Sequence, residues 1–91
     1  MSGSARIRIR VIYSGRVQGV GFRATCLQLS RRTVVCGFVR NLDDGTVELE
    51  AEGAERHVND FLANINAQMG GFIAGVQRQA IAVRRDGELH L

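Results

Sequence analysis

Ahead of what reads as the first helix the chain carries Gly15-Arg16-Val17-Gln18-Gly19-Val20-Gly21-Phe22-Arg23, a run dense in glycine and arginine. These are the ingredients of an anion site. Glycine permits positive φ and close approach of the backbone, so successive N–H groups can converge on one set of oxygens. A helix starting near Phe22 adds unpaired N–H donors and the positive end of its dipole, and Arg23 offers a forked, permanently charged donor. Phosphate is the natural guest. The run is neither a Walker A sequence, since no Lys-Ser/Thr pair follows, nor a GxGxxG fingerprint, and its spacing alone fits a tight structural turn equally well. A purely structural Arg23 is disfavoured, because a cation opposes the dipole at a helix start. Arg16 and Gln18 either line the anion or face solvent, with backbone donors preferred at those positions. Phe22 suits core or rim packing better than stacking on a substrate.

A second segment, Gly37-Phe38-Val39-Arg40-Asn41-Leu42-Asp43-Asp44-Gly45-Thr46-Val47-Glu48, is a β-type run that ends at Asn41, with Asp44-Gly45 signalling a hairpin turn. Asn41 by itself is a common turn residue, and Asp43 and Asp44 suit the turn better than a metal. The pair GRVQGVGFR and GFVRNLDDGTVE closely resembles the acylphosphatase family, and the similarity runs over nearly the whole chain. The resemblance implies that Arg23 binds the phosphate, that Asn41 positions the attacking water, and that Gly15, Arg16, Val17, Gln18, Gly19, Val20 and Gly21 form a phosphate cradle ending at Phe22. It implies a metal-independent hydrolase without cofactor that splits small acyl phosphates into a carboxylate and inorganic phosphate. Inorganic phosphate or sulfate is expected to fit the same site, and the enzyme is expected to be a monomer. Some positions depart from the family pattern. Val34 stands where many members have a helix-ending glycine, Phe38 replaces a frequent tryptophan, and residues 70 to 80 lack the usual prolines.

Such residues suit such chemistry. An acyl phosphate is a mixed anhydride whose carboxylate leaves readily, so the need for a strong general acid is small. Phosphoryl transfer depends mainly on positioning and on stabilising charge over the equatorial oxygens. Asn41 is neutral near pH 7 and cannot serve as a base, but its amide can both accept from and donate to a water. The proton then passes most simply to an oxygen of the substrate.

Composition narrows the alternatives. Ninety-one residues form one domain, 1–91, with residues 1–5 expected to be disordered. Lysine is absent, which excludes Schiff-base catalysis by this side chain. No apolar run is long enough to span a membrane and no signal-peptide order is visible, so a cytoplasmic protein is expected. Cys26 and Cys36 match no metal or redox spacing and are expected to be buried free thiols. His57 and His90 have no ligand partners at zinc spacing and are expected at the surface. The net charge of +3 arises from arginine. Arg6, Arg8 and Arg10 alternate with Ile7, Ile9 and Val11, the pattern of a strand with one solvated face. A ferredoxin-like module for anions or RNA is the competing class, but no aromatic RNA-reading strand supports it, and nucleic acid and membrane are not expected partners. A freestanding copy of the acylphosphatase-like domain of larger carbamoyl-transfer proteins is a related alternative, disfavoured by the missing zinc-finger cysteines.

The elements that must hold these residues are legible by periodicity. Residues 6–13 read as a first strand, Phe22 to about Arg32 as a helix, and Val34–Arg40 and Thr46–Glu52 as a hairpin pair. In the second of these, Glu48, Glu50 and Glu52 alternate with Val47, Leu49 and Ala51, which predicts an acidic outer face. Gly53 is expected to end that strand and cap a second helix with Glu55 in its first turn. Val58, Phe61, Leu62, Ile65 and Met69 then follow helical spacing until Gly70-Gly71. Residues 73–83 make a fourth strand, and 88–91 a short fifth at the sheet edge. The order βαββαβ predicts an α+β, ferredoxin-like sandwich, an antiparallel four-stranded sheet with two helices on one face.

Overall fold

The computed structural model describes residues 5–85 and the backbone of 89–90. Five strands, β1 (Arg6–Gly15), β2 (Cys36–Asn41), β3 (Val47–Ala54), β4 (Ile73–Ile81) and β5 (Leu89–His90), form one sheet in the order β4-β1-β3-β2-β5. Helices α1 (Phe22–Ser30) and α2 (Glu55–Met69) join β1 to β2 and β3 to β4. The first four strands pair antiparallel, as a ferredoxin-like βαββαβ fold requires, and β5 adds parallel to β2. Of the residues expected to be disordered, 1–4 lie outside the described residues, whereas the Ala5 carbonyl accepts from the Glu55 N–H at 3.0 Å. His90 side-chain placement and residues 86–88 and 91 likewise lie outside them. Among the described residues no helix is long and apolar enough to cross a membrane.

Strand alternation divides the sheet into two unlike faces. On one, Val11, Tyr13, Val39, Val47, Leu49 and Ala51 meet Phe22, Cys26 and Leu29 of α1 and Val58, Phe61, Leu62, Ile65 and Met69 of α2. This is the core. The periodicity of α2 is the reason it docks there, since those five residues are its buried stripe.

The other face corrects the expectation of a solvated arginine face and an acidic outer one. The register sets Arg8 opposite Glu52 and Arg10 opposite Glu50, so the two stripes neutralise each other. Arg8 is only 1% exposed; its guanidinium donates to Glu50 at 2.7 Å and Glu52 at 3.0 Å. Arg10 and Arg40 share Glu48, and Arg6 reaches Glu52 at 2.6 Å. The chain leaving β4 must cross this face to reach β5 at the opposite edge, and it does so over Glu52, which accepts the N–H groups of Arg84 (2.7 Å) and Arg85 (2.8 Å). The Glu52 carboxylate is thus covered by backbone.

Two boundaries also differ from expectation. Helix α1 stops at Ser30 and unwinds through i→i+3 bonds to Arg31, Arg32 and Thr33, so Val34 needs no left-handed cap and is exposed. Strand β3 continues past Gly53 to Ala54, because Arg6 pairs with Ala54; the helix cap is therefore Ala54 rather than Gly53. Gly53 has a different duty, since a Cβ there would lie 2.6 Å from the Val34 carbonyl oxygen.

Candidate active site

The segment from Gly15 to Arg23 is pinned by its backbone and by core packing at three points. At its start, Gly15 (φ 115°) passes so close to the chain entering β4 that a Cβ would lie 2.5 Å from the Ala74 nitrogen. The Arg16 N–H then donates to the Phe72 carbonyl at 2.8 Å. In the middle, Val17 is 1% exposed and belongs to the core. At its end, Phe22 packs on Tyr13 with ring centroids 4.9 Å apart. The intervening backbone bulges outward, with Gly19 and Gly21 at φ 78° and 79° and no atom within 4 Å of where either Cβ would be. Glycine is needed there for conformation, not for space within the protein.

Helix α1 begins directly on this bulge with Gly21 as its N-cap, no side-chain cap and no acid in its first turn. Its first bond is Thr25 N–H to the Gly21 carbonyl at 2.9 Å. No hydrogen bond joins the N–H groups of Gly19, Gly21, Phe22, Arg23 or Ala24 to a described acceptor. Unpaired donors and the positive helix end thus occupy the same place.

Asn41 arrives from the hairpin. As the last residue of β2 it lies opposite Val47, which places it on the helix-bearing face, beyond the core and level with the start of α1. The turn behind it is set by Asp44, whose carboxylate accepts from the Thr46 N–H at 3.0 Å and hydroxyl at 2.6 Å; these bonds lower its pKa. Gln18 connects loop to hairpin, with Nε2 donating to the Leu42 carbonyl at 2.8 Å and the Thr46 carbonyl at 2.9 Å.

The outcome is a pocket of about 210 Å³ lined by Val17, Gly19, Gly21, Phe22, Arg23, Ala24 and Asn41. Arg23 is its charged lining residue, exposed and in no ion pair with a described residue. The other sequence-selected positions stand apart. Gly15 and Val20 do not line the pocket, Arg16 turns outward over the Phe72 ring at 6.0 Å, and Gln18 reaches the hairpin instead of the anion loop's mouth or solvent. Phe38 lies on the ionic face under the Arg40 guanidinium.

Burial also acts on a thiol and a phenol of the core. It pushes the Cys26 thiol up to about 12 and raises the Tyr13 phenol as well, helped in the latter by the nearby Cys26. Cys26 and Cys36 are both buried and neither is in a disulfide, and His57 is half-buried near Arg56. Among the described residues no cluster of His, Cys, Asp or Glu has the makings of a metal site. The positive potential lining the pocket comes from backbone N–H groups, a helix end and one guanidinium.

The chain is similar to known proteins over most of its length. The acylphosphatase family model matches residues 9–88. The acylphosphatase of Geobacillus thermodenitrificans is 47% identical over 77 residues, covering 85% of this chain and 80% of that one. That of Geobacillus kaustophilus is 44% identical over the same length and coverage. The crystal structure of acylphosphatase from Bacillus subtilis superposes with a TM-score of 0.84 at 26% identity, covering 93% of this chain and 97% of the other.

Proposed function

This chain belongs to the acylphosphatase family, enzymes that hydrolyse acyl phosphates, and we propose how its own residues carry out that reaction. The carrying observation is that Arg23, Gly19, Gly21 and Asn41 line one pocket while the N–H groups around the α1 start have no described acceptor. The phosphoryl group binds the loop N–H groups and the Arg23 guanidinium. The Asn41 amide holds a water on the side opposite the acyl oxygen. Attack forms a new P–O bond as the P–O bond to the carboxylate breaks, and the carboxylate departs with the electron pair. The water's proton passes to a phosphoryl oxygen, so the products are carboxylate and inorganic phosphate.

Magnitudes support this division of labour. A guanidinium about 4 Å from a phosphate charge contributes a Coulomb term of about 4 kcal/mol at an effective dielectric of about 20. Negative charge spreads over the equatorial oxygens in the transition state, where preorganised donors act most strongly. No metal is required for this sequence of steps. We read the enzyme as a cytoplasmic monomer, with Cys26 and Cys36 as buried thiols. Inorganic phosphate and sulfate, which share the tetrahedral anion, are expected to compete for the pocket.

The test is hydrolysis of a synthetic acyl phosphate, with EDTA present, by wild type, Arg23→Ala and Asn41→Ala, each checked for folding by circular dichroism. Turnover should fall about 100- to 1,000-fold or more in both variants. A folded Arg23→Ala that keeps wild-type turnover would refute the assignment. An essential enzyme group titrating near neutrality in the rate profile would overturn the passage of the proton to a phosphoryl oxygen.

A further inference from the structure

Gln18 reaches the two carbonyls that close the β2–β3 hairpin. Leu42 N–H donates to the Thr46 carbonyl at 2.9 Å, and Gly45 N–H donates to the Leu42 carbonyl at 3.2 Å. The Gln18 amide donates to both of the same oxygens, at 2.8 and 2.9 Å, so each carbonyl accepts twice. Two acceptors facing one NH₂ group make the contact specific for a primary amide. Asn41 immediately precedes Leu42. Ladder pairing with β3 fixes Asn41 within the sheet, but it does not fix the hairpin end against the anion loop. The described side-chain contact that does so is the one from Gln18.

Resting on the roles given above to Arg23 and Asn41, we propose that Gln18 is a positioning residue for the hydrolysis. It touches neither the phosphate nor the water. It sets the distance between the anion held by the loop and the water held by Asn41, so its contribution enters through Asn41. Gln18→Leu removes both donors, while Val17 and Phe22, buried in the core, continue to anchor the loop. Loss of register between reacting groups by about 1 Å costs up to about 100-fold. The expected effect is a kcat lower by about 10- to 100-fold with inhibition by inorganic phosphate nearly unchanged. Gln18→Glu gives a distinct signature. Its carboxylate faces two carbonyl oxygens and repels them, whereas the protonated acid restores one donor; kcat of this variant should therefore fall as pH rises through the carboxyl titration, a step the wild type lacks.

The experiment is a kinetic double-mutant cycle on wild type, Gln18→Leu, Asn41→Ala and the double variant, with Arg23→Ala as the control for the site itself. Gln18→Leu should add little to the loss already caused by Asn41→Ala, since groups acting as a unit are non-additive. Fully additive losses, wild-type kcat in Gln18→Leu, or a deficit confined to KM and phosphate affinity would each overturn the proposal. If Gln18→Leu does not fold, the pH step in Gln18→Glu decides, its presence supporting the role and its absence overturning it. Wild-type turnover in folded Arg23→Ala would refute the reading of the site instead, and this inference with it.

Discussion

Replacing Glu52 with Gln removes the hub of the ionic face while keeping its shape. Glu52 is 0% exposed and accepts from Arg6 (2.6 Å), Arg8 (3.0 Å) and the N–H groups of Arg84 (2.7 Å) and Arg85 (2.8 Å). Burial alone would raise its pKa, but the Arg84 N–H, the Arg8 and Arg6 guanidinium groups and the Arg85 N–H outweigh it and bring the carboxyl to about 2, against an ordinary 4.5. Breaking one partner of a buried ion pair costs about 3–5 kcal/mol. Arg8 keeps Glu50, so the lower figure applies. With an unfolding entropy of about 2.1 cal/mol/K per residue over 91 residues, about 0.19 kcal/mol/K in all, a loss of about 3 kcal/mol lowers Tm by about 16 °C.

The sign of the pH dependence follows from linkage. A folded pKa below the unfolded one means stabilisation is complete above about 4.5 and is lost as pH falls toward about 2. Glu52→Gln has no such proton to take up. The Tm difference between wild type and variant, measured by circular dichroism melts, should therefore be widest at neutral pH and shrink across that window. A difference below about 5 °C at neutral pH, or one that stays constant on acidification, would show that the buried carboxylate does not hold this face together.

Further outcomes test other parts of the molecule. Gly37→Ala should destabilise by more than about 4 kcal/mol, or prevent folding, because the Cβ would sit 1.9 Å from the Glu50 carbonyl oxygen at a φ of 132°; a denaturant melt within about 1 kcal/mol of wild type refutes this. Gly19→Ala meets no atom and pays only for its left-handed φ, about 1–3 kcal/mol. The new methyl would nevertheless protrude at the pocket lining, so the inhibition constant for inorganic phosphate should rise about tenfold, and an unchanged constant would place the anion elsewhere. Cys26, with its thiol pushed up to about 12 by burial, should resist a thiol reagent at about pH 8 in the native protein and react on unfolding. Rapid native labelling at Cys26, mapped by mass spectrometry, would contradict that burial.

Local rules made much of this molecule readable. The α2 stripe follows from helical spacing, and the strands from their alternation, since both depend only on near neighbours in the chain. Gly19, Gly21 and Arg23 could be selected because a phosphate loop needs left-handed backbone and a helix start, and those requirements are written in residue type. Asn41 was legible as a strand-end residue, but the role proposed for it rests on family likeness, because no local rule distinguishes it from an ordinary turn residue.

What the chain alone determined, then, is which segments become strand, helix and glycine-bearing loop, because those choices rest on propensity and period. Tertiary structure decided what faces what. Alternating arginines read as a solvated stripe until the β1–β3 register set them against glutamates and the segment after β4 crossed above, leaving Arg8, Glu48, Glu50 and Glu52 buried in an ionic layer. Gln18 read as a loop residue for anion or solvent until folding brought it to two carbonyls of a hairpin more than twenty positions away. Register, strand order and chain crossing are global properties of packing, and a single residue's type carries no record of the distant group it will meet.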